Sequence, residues 1–235
     1  MRIDKFLVEN NICSRSEAKE YIKKGFVKVN GIIVKDNGFH IDESKDSVSF
    51  KDKLIEYTKF VYYMLNKPSG YVSATSDNND PTVLDLLKNE AAKGLFPVGR
   101  LDKDTTGLLI ITNDGELGHF LTSPRKNIEK EYLASIEHPL SEDDIMNIES
   151  GVSEGGDDFK PAKVKIIDEN NILITVTEGK YHEVKRILKA VNNCVLSLKR
   201  VSENGISLDE SLKEGEYRKL TQNELEILSA KEKKQ

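Results

Sequence analysis

Gly99-Arg100-Leu101-Asp102-Lys103-Asp104-Thr105-Thr106-Gly107-Leu108-Leu109 is a polar stretch bounded by Gly99 and Gly107 that runs directly into an apolar segment, residues 108–112. The apolar run, stopped by Asn113-Asp114-Gly115, predicts a strand. Asp102 stands between Arg100 and Lys103 just ahead of that strand. Nearby cations favour the carboxylate form, which a nucleophile or a general base requires. From the residues alone a plainer account carries more weight: a polar turn with Asp102 as its cap and Arg100 paired on the surface.

Outward from this stretch, residues 61–65 (Val-Tyr-Tyr-Met-Leu) read as a buried strand, stopped by Asn66-Lys67-Pro68-Ser69-Gly70. Residues 81–87 read as a helix with Pro81 in its first turn. Beyond it, 116–121 is a short helix, and 132–136, 162–167, 171–177 and 195–200 have the composition of strands. Residues 183–191 form a helix pattern with Val184, Ile187, Leu188 and Val191 on one face. A closing helix spans 220–228, with Thr221 and Glu224 at capping-box spacing, and the tail 231–235 is expected to fray. Strands outnumber helices and do not alternate strictly with them. The pattern predicts an α+β fold with a central mixed, mainly antiparallel sheet, not a doubly wound one.

The first fifty residues read as a separate small α/β module. Ile3, Phe6 and Leu7 share a helical face. A second helix starts at Ser14, which stands at capping-box spacing from Glu17, and turns Ala18 and Ile22 inward. Gly25 is its natural stop. Residues 26–29 and 32–34 flank Asn30-Gly31, a strong hairpin signal because both turn residues take positive φ; 47–50 adds a further strand. Arg15, Lys19 and Lys23 recur at i, i+4, i+8, a single stripe that alone reads as a solvated face. Residues 51–59 are polar and read as a linker, giving domains 1–58 and 59–235.

The 235 residues are 37% hydrophobic and 32% charged, a globular balance. No apolar run approaches the roughly 20 residues of a membrane span, and the N-terminus has no signal-peptide pattern. A cytoplasmic protein is expected. Cys13 and Cys194 are far apart, His40, His119, His138 and His182 form no ligand pattern, and no phosphate-binding glycine motif occurs. Neither metal nor cofactor is expected. The net charge of −5 hides two basic islands. Residues 14–35 hold six basic groups against two acids, and 179–200 hold six against Glu183 alone. Local charge of this kind suits phosphate.

The N-terminal module resembles the S4 RNA-binding domain, on Arg2-Ile3-Asp4-Lys5-Phe6-Leu7, Ser14-Arg15-Ser16-Glu17-Ala18 and Gly25-Phe26-Val27-Lys28-Val29-Asn30-Gly31. That resemblance implies RNA contacts through Arg2, Arg15, Lys19, Lys23 and Lys28. The stretch 99–109 resembles the catalytic motif of RNA pseudouridine synthases, G-R-L-D-x-D-T-T-G-L. Leu65-Asn66-Lys67-Pro68-Ser69-Gly70-Tyr71-Val72, Glu129-Lys130-Glu131-Tyr132 and Glu178-Gly179-Lys180-Tyr181-His182-Glu183-Val184-Lys185-Arg186-Ile187-Leu188 are similar to its other motifs, in order. Motifs in series are far more specific than any one of them. With the S4-like module ahead, the layout is similar to the RsuA-type branch over nearly the whole chain. The runs Gly205-Ile206-Ser207-Leu208 and Gly215-Glu216-Tyr217-Arg218-Lys219-Leu220-Thr221 follow its small-subunit members.

The resemblance implies isomerisation of one uridine of 16S ribosomal RNA (position 516), without cofactor or metal. The implied partner is ribosomal RNA or a small-subunit assembly intermediate, with a monomeric enzyme and no membrane. It assigns Asp102 as the reacting carboxylate, Tyr132 as the ring that stacks on the flipped uracil, and Arg186 as the cation paired with Asp102. Ile187 and Leu188 are the implied apolar wall; Arg100 fills the gap left in the RNA or meets phosphate, and Lys67 and Lys185 meet phosphate. Asp104, Thr105 and Thr106 are implied turn formers, and His182 either meets RNA or is structural. At position 183 Glu stands where most members of the branch carry Gln, a change that removes no expected catalytic group. Three other readings compete: an enzyme acting on 23S RNA, a non-catalytic RNA-binding assembly factor, and a hydrolase using Asp102 and Asp104. An assembly factor has no need of Asp102, Tyr132 and Arg186 together, and the hydrolase lacks a second positioned acid.

Overall fold

The computed structural model describes residues 1–10, 12–43, 45–55, 60–87, 90 and 94–232. Two units divide the chain, one carrying Met1–Val61 and Asn89–Gly94 and the other Tyr62–Lys88 and Leu95–Gln235.

In the first unit, α1 (Ile3–Glu9) turns Ile3, Phe6 and Leu7 inward. The second helix, α2 (Arg15–Lys23), starts on the expected capping box: Ser14 accepts from the Glu17 amide and Glu17 accepts from the Ser14 amide. Asn30 (φ 51°) and Gly31 (φ 80°) turn β1 (Val27–Val29) into β2 (Ile32–Ile33). Strand β3 (Val48–Phe50) pairs with β1, and β4 (Lys53–Leu54) with β3, in the order β2-β1-β3-β4. The start of the expected linker is therefore a strand. Its turn uses Lys51 (φ 48°) and Asp52 (φ 65°), which lack the Asn-Gly signature; the rest of that linker, 56–59, lies outside the described residues. Ile3, Phe6, Leu7, Ala18, Ile22, Val27 and Val48 form the core.

The second unit runs β5 (Tyr62–Lys67), a 3-10 turn (Val83–Leu87), β6 (Phe96–Pro97), β7 (Thr106–Thr112), α3 (Gly115–Thr122), a 3-10 turn (Pro124–Lys126), β8 (Lys130–Ile136), α4 (Glu142–Ser150), β9 (Val152–Glu154), β10 (Asp157–Phe159), β11 (Lys163–Ile166), β12 (Asn171–Val176), α5 (Glu183–Ala190), β13 (Val195–Glu203), β14 (Ile206–Ser207), β15 (Tyr217–Lys219) and α6 (Gln222–Glu232). Nine of its strands form one sheet in the order β11-β12-β8-β13-β7-β5-β15, with β14 on β13 and β6 on β7. Only β13 and β7 pair in parallel. The sheet is thus mixed and mainly antiparallel, and the α+β class holds. Met64, Leu108, Ile110, Leu117, Phe120, Leu121 and Leu228 build a core cluster of this unit.

Strands β6, β14 and β15 are not among the elements expected from the sequence, and three further features differ. The expected helix over 81–87 is a 3-10 turn, because Thr82 is drawn into a bridge with Val72 and its amide donates to Asp85 (2.7 Å). Helix α4 went unread in an acidic stretch, although Ser141 and Asp144 form a full capping box. The hairpin β9–β10 turns on Gly155-Gly156 and pairs only with itself. At the C-terminus the helix continues through Glu232, into the expected frayed tail; residues 233–235 lie outside the described residues.

Candidate active site

Strand β5 ends on Lys67, which is fully buried and donates to three carbonyls: Pro68 (3.1 Å), Lys103 (3.2 Å) and Thr105 (2.8 Å). Burial pulls its ammonium down to about 8, against the fields of Asp104 and Asp102. The expected phosphate contact by Lys67 is therefore corrected. It faces the protein and pins both ends of the turn that follows Asp102. Ser73 Oγ closes the other side, accepting from the Leu101 amide and donating to the Leu101 carbonyl, each at 3.0 Å. Past the turn, the parallel pairing of Thr106 with Lys199 is followed by Gly107 (φ 100°) opposite Arg200. A Cβ here would stand 2.2 Å from the Arg200 carbonyl oxygen, so glycine is obligatory.

The carboxylate held by this loop is about a quarter exposed and meets helix α5. Lys185 Nζ lies 3.0 Å from Asp102 Oδ2 and 2.7 Å from Asp104 Oδ1. Burial opposes the charge of Lys185, but its hydrogen bonds to Asp104 and Asp102 outweigh it and raise the ammonium above the ordinary lysine range. Asp104, hydrogen-bonded to Lys185, is held below the usual carboxylate range. His182 Nε2 is 3.6 Å from Asp102 Oδ1, beyond hydrogen-bond length. His182 occupies a left-handed conformation (φ 51°) at the N-terminus of α5 and stacks on Tyr181 at 3.8 Å.

The expected Arg186–Asp102 pair is not formed. One helical step beyond Lys185, Arg186 points to the β9–β10 hairpin. It pairs with Asp157 (2.7 Å), donates to the Glu154 carbonyl (2.5 Å) and covers the Phe159 ring (4.8 Å). Lys189 adds an ion pair to Glu154 (2.5 Å). Consecutive residues on a helix face about 100° apart, so only one of Lys185 and Arg186 reaches Asp102. Lys185, expected on phosphate, takes the place assigned to Arg186. Ile187 and Leu188 also depart from expectation. Both lie on the buried inner face of α5, away from the cavity wall.

Asp102 opens onto a cavity of about 450 Å³, walled by Tyr132 and the apolar side chains of Val176, Val184 and Leu198. Arg100 is exposed at its rim. In β8 the alternation buries Lys130, Tyr132, Ala134 and Ile136 on one face. Burial raises the Tyr132 hydroxyl above the phenol range. Around it stand Lys130, Arg200 and Glu203, which the sequence did not single out, and Glu183, which it did; all four are nine-tenths buried or more and line the cavity. Burial lowers the Lys130 ammonium and raises the Glu183 carboxyl. Glu183 Oε2 accepts the Gly179 amide (2.6 Å), which fixes the turn leading into α5. For Lys130 a signal was present, its period-two spacing from Tyr132. For Glu203 there was none, because a β-bulge between Arg200 and Ser202 breaks the alternation.

In the first unit Arg2, Arg15 and Lys19 share a cleft of about 530 Å³ with Asp4, Lys5 and Ser16. Arg15, Lys19 and Lys23 are exposed on α2 with no ion pair among the described residues. Arg2 pairs with Asp4 (2.7 Å), and Lys28 with Asp52 (2.5 Å).

Comparison with known proteins bears on this arrangement. The family model described as RNA pseudouridylate synthase matches residues 61–190, and the S4 domain matches residues 1–47. A Bacillus subtilis protein called uncharacterized RNA pseudouridine synthase YtzG is 46% identical over 97% of this chain and 98% of its own. Proteins named ribosomal small subunit pseudouridine synthase A are 42% identical in Haemophilus influenzae, over 97% of this chain and 99% of the relative. The Escherichia coli K12 protein of that name is 40% identical, over 96% and 98%. A pseudouridylate synthase crystal structure superposes with a TM-score of 0.69 at 41% identity, covering 97% of this chain and 99% of the other. Sequence relatives and fold agree from end to end: this chain belongs to the RNA pseudouridylate synthase family, with an S4 domain preceding the synthase fold.

Proposed function

We propose that this enzyme converts a uridine of small-subunit (16S) ribosomal RNA to pseudouridine, with Asp102 as the reacting carboxylate. The observation that carries the chemistry is the Asp102–Lys185 pair at the mouth of a cavity walled by Tyr132. The RNA class is supported by the relatives named for the small ribosomal subunit.

The reaction breaks the N1–C1′ bond, turns the base and joins C5 to C1′. The C5 proton is lost and N1 gains one, so no redox step is involved. Asp102 starts it either by attacking C1′ or by removing the C2′ proton; both routes use the carboxylate as the reacting group, and Lys185 Nζ stands 3.0 Å from it. Tyr132 stacks on the flipped uracil, holding it without fixing its in-plane orientation. Arg100 at the rim contacts the RNA around the flipped nucleotide. Arg186 acts at one remove, by holding the hairpin against α5. Residues 1–58 serve RNA binding, with Arg15, Lys19 and Lys23 on phosphates, and 59–235 serve catalysis. A single copy supplies every group named, so the working unit is a monomer, acting in the cytoplasm where its ribosomal substrate is assembled.

The test is site mapping. Unmodified 16S and 23S RNA, free and as assembly intermediates, are incubated with purified enzyme and mapped for pseudouridine. One modified uridine in 16S RNA is expected. Modification confined to 23S RNA, or none, contradicts the assignment.

A further inference from the structure

Arg200 and Glu203 lie three residues apart on β13, each 1% exposed, beneath the cavity that Tyr132 walls. Arg200 Nη2 is 3.2 Å from Glu203 Oε2. This is an ion pair without a hydrogen bond: Nη2 and Oε2 each lack a hydrogen-bond partner among the described residues. The rest of Arg200 is anchored, with Nε donating to the Leu108 carbonyl at 2.7 Å. The guanidinium also stands beside the Tyr132 hydroxyl. Two buried charged atoms that face each other at 3.2 Å without a well-directed hydrogen bond leave hydrogen-bonding capacity unused, and native proteins seldom keep such groups without a use. Here both open atoms belong to residues of the cavity floor.

We propose that Arg200 and Glu203 read the imide edge of the target base: Glu203 Oε2 accepts the uracil N3–H, and Arg200 Nη2 donates to the carbonyl beside it. This inference rests on the cavity being the uridine site. A donor next to an acceptor is what that edge requires, since N3–H is flanked by a carbonyl on each side. Cytosine presents a bare N3 lone pair there, which faces a carboxylate unfavourably.

The pairing also suits the turn the base must make. Rotation by half a turn about the line through N3 and C6 exchanges N1 with C5 and the C2 carbonyl with the C4 carbonyl. The imide edge is unchanged by that exchange. Contacts to N3–H and one flanking carbonyl therefore hold substrate and product alike, while the glycosidic position passes from N1 to C5. Arg200 and Glu203 thus set base identity without opposing the isomerisation.

The experiment is single-turnover conversion by the full chain of an RNA fragment carrying either uridine or 3-methyluridine at the target position. Wild type is expected to convert uridine and to process 3-methyluridine at least about 100-fold more slowly, since the N3 donor is blocked. Glu203→Gln, which keeps the side-chain volume, is expected to shrink that ratio about tenfold or more, because a charge-assisted acceptor is lost. A purely structural pair moves both rates together and leaves the ratio alone; that outcome overturns the proposal. So does a wild-type ratio near one, which needs no variant to fold. Failure of wild type to convert uridine at all instead removes the functional reading on which the inference stands.

Discussion

Lys185 Nζ stands 3.0 Å from Asp102 Oδ2 and 2.7 Å from Asp104 Oδ1, so one ammonium bridges two carboxylates at the mouth of the cavity. The bridge joins the loop before β7 to helix α5, elements more than eighty residues apart in sequence. It gives Asp102 a fixed cation, and it makes Asp104 a competitor for that cation rather than a reactant.

Removing the ammonium tests this bridge. Lys185→Met is expected to lower the single-turnover rate about 100-fold or more while RNA affinity changes only a few-fold, since the lost charge acts on Asp102. Lys185→Arg keeps the charge and is expected to recover most of the rate. An equal loss in both variants would mean that the charge is not what matters. Rate constants at saturating RNA, with a separate binding isotherm, separate the two.

Gly107→Ala is expected to disrupt the site from below. The new methyl meets the Arg200 carbonyl at 2.2 Å, in a backbone conformation (φ 100°) that side chains rarely adopt. A cost of about 3 kcal/mol or more is expected, with activity lost alongside. Urea unfolding measures it; a change within about 0.5 kcal/mol would show that β7 and β13 are not held at this register.

Glu183 gives a stability effect with a defined sign. Burial raises its carboxyl above the usual glutamate range, so the folded protein keeps a proton that the unfolded chain has already released. Stability is therefore lost as pH rises from the ordinary glutamate range through the raised value. Glu183→Gln removes this loss and preserves an acceptor for the Gly179 amide. The variant is expected to melt higher than wild type at pH 8 and level with it at pH 4. A lower melting temperature at pH 8 would assign Glu183 a favourable ion pair with Lys130 instead.

On the first unit, Arg15→Ala with Lys19→Ala is expected to weaken RNA binding and to flatten its salt dependence by about 1–2 in the log–log slope. The conversion rate at saturating RNA should stay near wild type. An unchanged slope would take these two side chains out of the phosphate contacts.

What the sequence made legible follows the range of the physics involved. Capping boxes and the Asn30-Gly31 hairpin are local, and both formed as read. The strands of the large sheet were visible as apolar runs, and the α+β class followed from their order. Position around the site was harder. Arg186 and Lys185 are adjacent cations on one helix, and only the rotation of α5 against the Asp102 loop decides which of them reaches the carboxylate. Lys67 looked like a surface lysine because three carbonyls that bury it come from a turn about thirty-six residues downstream and from its own neighbour. Glu203 carried no pattern at all, since the bulge in β13 removes the alternation that would mark its face.

The central claim is that Asp102 carries the reaction, and its most direct test is Asp102→Asn. The change is nearly isosteric and removes only the charge. Purified variant and wild type are compared for pseudouridine formed in 16S RNA in one turnover, with RNA affinity and melting temperature measured alongside. At least about a 10³-fold loss of rate is predicted, with affinity within a few-fold of wild type and the fold intact. Pseudouridine formed by Asp102→Asn at the wild-type rate would contradict the account.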